Sequence, residues 1–143
     1  MLKRMVVSLL TSVGLLSLTA HPTLAKLANH FATHETVYPS TCSVAVDGER
    51  YTCDYVVVGA FNDATANIKL CSSQSCFILM LNRTQFSHVA NGQDFSVYNL
   101  AWQRGRSIVH QWDTSMRCGF TRSDGLGCVG ELEDGSAIAI YME

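Results

Sequence analysis

The sequence predicts an all-β fold: an antiparallel sandwich or small barrel built from hairpins and stapled by three disulfides. Three observations carry that expectation. Turn signals recur every 10 to 15 residues along the second two-thirds of the chain, with short apolar runs between them and no long 3.6-residue period. Six cysteines fall as three pairs, each pair flanking one of those turns. The chain opens with a segment of export type, which places the cysteines in an oxidising compartment where disulfides persist. With 143 residues, 48% hydrophobic and 15% charged, it has enough apolar side chains for one independent core and too many to be disordered.

Taken in order, Lys3-Arg4 supplies a positive n-region and Met5 to Leu18 an uncharged h-region, too short for a comfortable membrane span. His21-Pro22 breaks it, and cleavage is expected after Ala25, with Ala20 as the alternative. Residues 26–40 read as an N-terminal arm holding one or two helical turns at most. A single domain is expected from 41 to 143. Its first hairpin pairs 42–46 with 50–61 about Asp47-Gly48, a strong two-residue hairpin signal. That register sets Val44 opposite Tyr51 and Cys42 opposite Cys53, at a spacing of about 5.5 Å that suits a disulfide.

Segments 67–71 and 76–82 form the second hairpin, with Cys71 and Cys76 flanking a polar tetrapeptide. Asn91-Gly92 reads as a further tight turn between QFSHVA and QDFSVYNLAWQ. Residues 94–104 favour a strand, with a helix as the competing reading because Phe95, Val97, Tyr98 and Trp102 also suit one helix face. Residues 106–112 form a strand ending in a turn at Asp113-Thr114-Ser115. Segments 116–121 and 126–133 flank a turn at Arg122–Gly125 and bring Cys118 to Cys128; Asp134-Gly135 then leads into 136–141. Six cysteines allow 15 pairings, and turn chemistry selects the three local ones, Cys42–Cys53, Cys71–Cys76 and Cys118–Cys128.

The formal charge is −2; removing Lys3 and Arg4 with the leader leaves 8 basic against 12 acidic residues, or −4. A nucleic-acid partner is not expected of such a chain, nor a membrane once the leader is gone. No cofactor or metal is expected. No C-x-x-C occurs, and His30 and His34, spaced for one helix face, lack the H-E-x-x-H pattern. Gly125, Gly127 and Gly130 spell G-x-G-x-x-G, but a β-hairpin and a cysteine stand where the dinucleotide motif needs a helix, so they read as turn glycines. There is no G-x-S-x-G elbow, every thiol has a partner, and Glu131, Glu133 and Asp134 read as a solvated hairpin end. Asn82-Arg83-Thr84 is a glycosylation sequon, relevant only in a eukaryotic secretory pathway.

Aromatic and basic residues concentrate between 95 and 112: Phe95, Tyr98, Trp102, Arg104, Arg106 and Trp112. Interfaces favour these residue types, and together with Asn91 and Gly92 they form the candidate binding surface. The competing reading places both tryptophans in the core.

The residues 90-ANGQDFS-96 followed by 102-WQRG-105 resemble somewhat the C-type lysozyme inhibitor family, small exported bacterial β-barrels with an S-G-x-x-Y loop and a W-x-K-G turn. The likeness spans 16 residues of the 143, and Asn91 and Phe95 replace the Ser and Tyr of the inhibitory loop. It implies a hydrolase inhibitor acting through a protruding loop around Asn91-Gly92. The expected function is a monomeric, non-catalytic binding or structural module of the periplasm or cell exterior. Its partner would be an unidentified protein or glycan. The hydrolase inhibitor is the alternative, and a small periplasmic enzyme ranks third.

Overall fold

The computed structural model describes residues 31–122 and 125–143. The leader, its cleavage site, His30 and the centre of the Arg122–Gly125 turn lie outside the described residues. Among the described residues ten strands form one antiparallel sheet: β1 (Thr33–Val37), β2 (Cys42–Val46), β3 (Glu49–Thr52), β4 (Tyr55–Ala60), β5 (Thr65–Cys71), β6 (Ser75–Asn82), β7 (Phe95–Arg104), β8 (Ser107–Phe120), β9 (Leu126–Leu132) and β10 (Ala137–Met142). Their order is β1-β4-β5-β6-β7-β8-β9-β10-β2-β3. Between β6 and β7 the helix α1 (Arg83–Ala90) interrupts the meander.

The segment expected as one strand over 50–61 is bent, and the bend organises the fold. Its first half, β3, pairs with β2 at one end of the sheet; its second half, β4, pairs with β5 at the other. At the joint the Cys53 amide donates to Cys42 and the Asp54 amide to Cys71, so successive residues bond to opposite ends. A two-residue link between distant ends is possible only if the sheet curls, and it does, into a half-barrel with one concave core. A flat two-layer sandwich is thereby ruled out in favour of the barrel alternative.

The concave face gathers Val44, Val56, Ile68, Leu70, Phe77, Leu79, Leu81, Val97, Leu100, Met116, Ile138 and Ile140, all buried. Strands β4 to β7 are also buried on their convex side, where Ile78, Met80 and Ala101 cluster with half-buried Ile108. Asn67, Lys69, Asn99 and Gln103 are buried as well. That explains why CFILML reads as a continuous apolar run without alternation: a strand with two buried faces has no polar side.

The three disulfides join Cys42–Cys53, Cys71–Cys76 and Cys118–Cys128, with Cα separations of 5.1, 4.1 and 4.0 Å. Cys71 faces Cys76 and Cys118 faces Cys128 directly in the strand registers. At the Asp47-Gly48 turn both residues have positive φ, 50° and 83°, the twist a two-residue hairpin needs, and Val46 faces Glu49 as expected.

Three local expectations are corrected. Over its described residues, 31–40, the arm supplies a strand in place of helical turns, β1, which borders β4 at the sheet edge. Asn91-Gly92 does not turn a hairpin. It ends helix α1, where the Gly92 amide donates to Val89 and the Gln93 amide to His88. These bonds, with Gly92 at φ 67°, form a Schellman cap. The helix forms because the Asn82 side chain accepts from the Gln85 amide as N-cap, while Phe86 and Val89, three apart, turn one face onto the core. Asp113–Ser115 is not a turn either: β8 runs straight through it for 14 residues. The register against β7 slips there and again near Val109, giving two β-bulges. Residues 94–104 form strand β7, the favoured reading.

Candidate functional site

The bulges decide which side chains meet. Along β7, Phe95 and Val97 face the core; past the first slip the phase changes, and Leu100 and Trp102 face it instead. Direct cross-strand partners then line up as Phe77 on β6, Trp102 on β7 and His110 on β8. The next row inward is Leu79, Leu100 and Trp112. Phe77 and Trp102 lie nearly parallel, 10° between planes and 6.2 Å between centroids. Tyr51 reaches them from the far end of the sheet, 5.2 Å from Phe77 and 6.2 Å from Trp102, because the bent strand brings β3 across. His110 sits 4.2 Å from Trp112.

These rings wall a cleft of about 300 Å³ at one mouth of the half-barrel, completed by Val46, Asp47 and Glu49 of the β2–β3 hairpin and by Val109. Tyr51, Trp102 and Trp112 are half-buried, while Asp47, Glu49 and His110 are exposed at the rim. A larger cavity of about 510 Å³ lies between β1 and α1, lined by Val58, Phe86, Val89, His34 and Glu35. It gathers fewer convergent aromatic and polar groups, the signature of a specific small-ligand site.

Burial pushes the Tyr51 phenol above its ordinary pKa, with a hydrogen bond to Glu49 and that carboxylate's charge adding to the shift. The Asp134 carboxylate lies below its ordinary range, chiefly because it accepts from the Ser136 backbone amide, with the Ser136 hydroxyl and the charge of nearby His110 assisting. Arg104 places its guanidinium 5.4 Å from the Trp102 ring centroid. The Trp102 indole N–H is buried and has no acceptor among the described residues. Such an unpaired donor costs roughly 1–3 kcal/mol relative to a satisfied one.

The sequence-predicted surface is split between the two ends of β7. Trp102, Trp112 and Arg104 belong to the mouth, and Arg106 is exposed on the β7–β8 turn beside it. Seven residues earlier, about 23 Å along the strand, Phe95 is buried, 3% exposed, against the core. Tyr98 is 39% exposed, its phenol raised by partial burial and then by the charge of Asp63. Asn91 and Gly92 are exposed at the end of α1, at that opposite end. The surface is therefore not one patch. The tryptophans are neither wholly core nor wholly free: each packs its ring on the core and shows an edge to the cleft.

Tyr51, Phe77, Asp47 and Glu49 lie outside that sequence-predicted surface. Val44 opposite Tyr51 was legible from the hairpin, but Tyr51 beside Trp102 follows from barrel closure, which no local signal announces. His110 and Asp113, a conceivable acid–base pair, are on opposite faces of β8. His110 lines the cleft, while Asp113 accepts from Asn99 Nδ2 at 3.2 Å on the convex side, where Asn99 in turn accepts from Gln111. Among the described residues no three His, Cys, Asp or Glu side chains gather as a metal site, and no helix is long and apolar enough to cross a membrane. No family model, curated protein or solved structure matches the chain, so this geometry is the ground for any functional reading.

Proposed function

We propose that this protein is an exported, non-catalytic binding module that takes its ligand in the aromatic cleft at the mouth of the half-barrel. The observation that carries the reading is the convergence of Tyr51, Phe77, Trp102 and Trp112, from strands far apart in sequence, on one cleft with a polar rim. Three intramolecular disulfides are typical of extracellular or periplasmic proteins, which supports export. Half-exposed aromatic rings on a rigid sheet give a ligand contact area at small entropic cost. The hydrolase-inhibitor alternative draws less support, since Asn91-Gly92 caps a helix and does not protrude as a hairpin loop.

The test uses the two tryptophans as reporters. Panels of oligosaccharides and short peptides are titrated against the secreted protein and against Trp102→Phe and Trp112→Phe, following emission and affinity. At least one probe is expected to shift the emission and to bind more weakly to a variant. Probes that bind every form equally, with unchanged emission, place the site elsewhere and overturn the reading.

A further inference from the structure

We infer that the ligand of the aromatic cleft is a neutral saccharide, an assignment that rests on the binding-module reading and names its ligand class. The cleft offers two kinds of surface at once. Half-buried Tyr51, Trp102 and Trp112 form a ring wall over buried Phe77, with Tyr51 edge-on to Phe77. A sugar ring meets such a wall with its C–H face, losing apolar area from water without a penalty at its hydroxyls.

The hydroxyls then need partners at the rim, and the rim is rich in acceptors. Asp47 and Glu49 stand exposed on the tight β2–β3 hairpin that lines the cleft. Carboxylates accept hydroxyl hydrogens as charge-assisted bonds, and His110 on the facing strand offers ring nitrogens. At about 300 Å³ the cleft stands at the small end of ligand sites. That leaves room for about one or two pyranose rings and not for a folded domain.

Charge decides between the remaining classes. An anionic ligand, a phosphate or nucleotide, would meet Asp47 and Glu49 at the entrance and be repelled. A cationic one would compete with Arg104, whose guanidinium already lies against the Trp102 ring. A neutral polyol is repelled by neither charge, and half-buried Tyr51 and Trp112 offer it ring surface besides the Trp102 ring that Arg104 covers.

Isothermal titration and tryptophan emission of the full secreted chain test this. The probes are neutral di- and tetrasaccharides of glucose, N-acetylglucosamine and mannose, with tetramethylammonium and a lysine tetrapeptide as cationic controls. At least one neutral saccharide is expected to bind and shift the emission. Glu49→Gln, an exposed substitution that leaves the core untouched, should weaken it about tenfold, as loss of a charge-assisted hydrogen bond implies, with an unchanged melting temperature. Cationic probes that shift the emission where no saccharide does would keep the cleft as a binding site and overturn the ligand class. Saccharide binding unaffected by both Glu49→Gln and Trp102→Phe would overturn the site. Silence from every probe would overturn this assignment and the module reading together.

Discussion

Gly127 and Gly130 share one strand and one motif-like string, yet alanine at the two positions should have opposite effects. A Cβ on Gly130 would lie 2.7 Å from Met116 Cα and closer still to the Ser115 carbonyl oxygen, both backbone. A Cβ on Gly127 would meet nothing within 4 Å. The crowding at Gly130 follows from the bulge in β8, which pushes Ser115 toward the facing strand. Relief by strand separation is blocked two residues away by Cys118–Cys128, which ties β8 to β9. Contact with the β8 backbone, and with no far end of a flexible side chain to yield, puts Gly130→Ala at the upper end of overpacking costs, about 2–3 kcal/mol. For a domain of this size that corresponds to a fall in melting temperature of about 10 °C. Gly127→Ala should be neutral or stabilising by up to about 1 kcal/mol, since alanine restricts the unfolded chain and its methyl group meets no obstacle. Calorimetric or circular-dichroism melting of both variants under non-reducing conditions measures the difference. Equal melting temperatures would refute the argument that the bulge, and not a ligand, requires glycine at 130.

Two further outcomes follow from the core. Removing Cys42–Cys53 as a double alanine variant should cost more than removing Cys71–Cys76. The chain-entropy model gives about 3 kcal/mol for the longer loop against about 2 for the shorter, and the former also pins the bend that joins the sheet ends; urea midpoints in the reverse order would contradict this. Burial lowers the pKa of Lys69 below its ordinary 10.5, so the unfolded chain holds that proton more tightly than the folded one. Stability therefore rises with pH through the window below 10.5. Lys69→Met should be more stable at pH 7 and lose that rise, as urea midpoints taken from pH 7 up to 10.5 would show; a parent chain whose stability is flat up to pH 10.5 would refute it.

How much of this was legible in the chain differs residue by residue. Cys42 opposite Cys53 followed from counting outward from Asp47-Gly48, because a two-residue turn dictates register and register dictates which side chains meet. Asn91-Gly92 failed as a hairpin signal for a reason equally local. Positive φ at glycine serves a helix cap as well as a turn, and the Asn82 cap with the Phe86/Val89 spacing outweighed the turn reading. Asp113–Ser115 failed because polar residues within a long strand mark a bulge as readily as a turn.

The sequence by itself determined the class: strands from apolar runs and turn residues, and disulfides from cysteines flanking those turns, a pattern typical of extracellular or periplasmic proteins. These depend on residues within about a dozen positions of each other, where chain geometry leaves few choices. The tertiary structure alone decided that the segment 49–60 bends, that the sheet therefore curls, and that Tyr51 comes to rest beside Phe77 and Trp102. It also divided the aromatic window, sending Phe95 into the core at one end and Trp102 to the cleft at the other. Strand closure over long sequence separation is a balance of packing summed over the whole barrel, and no local pattern contains that sum.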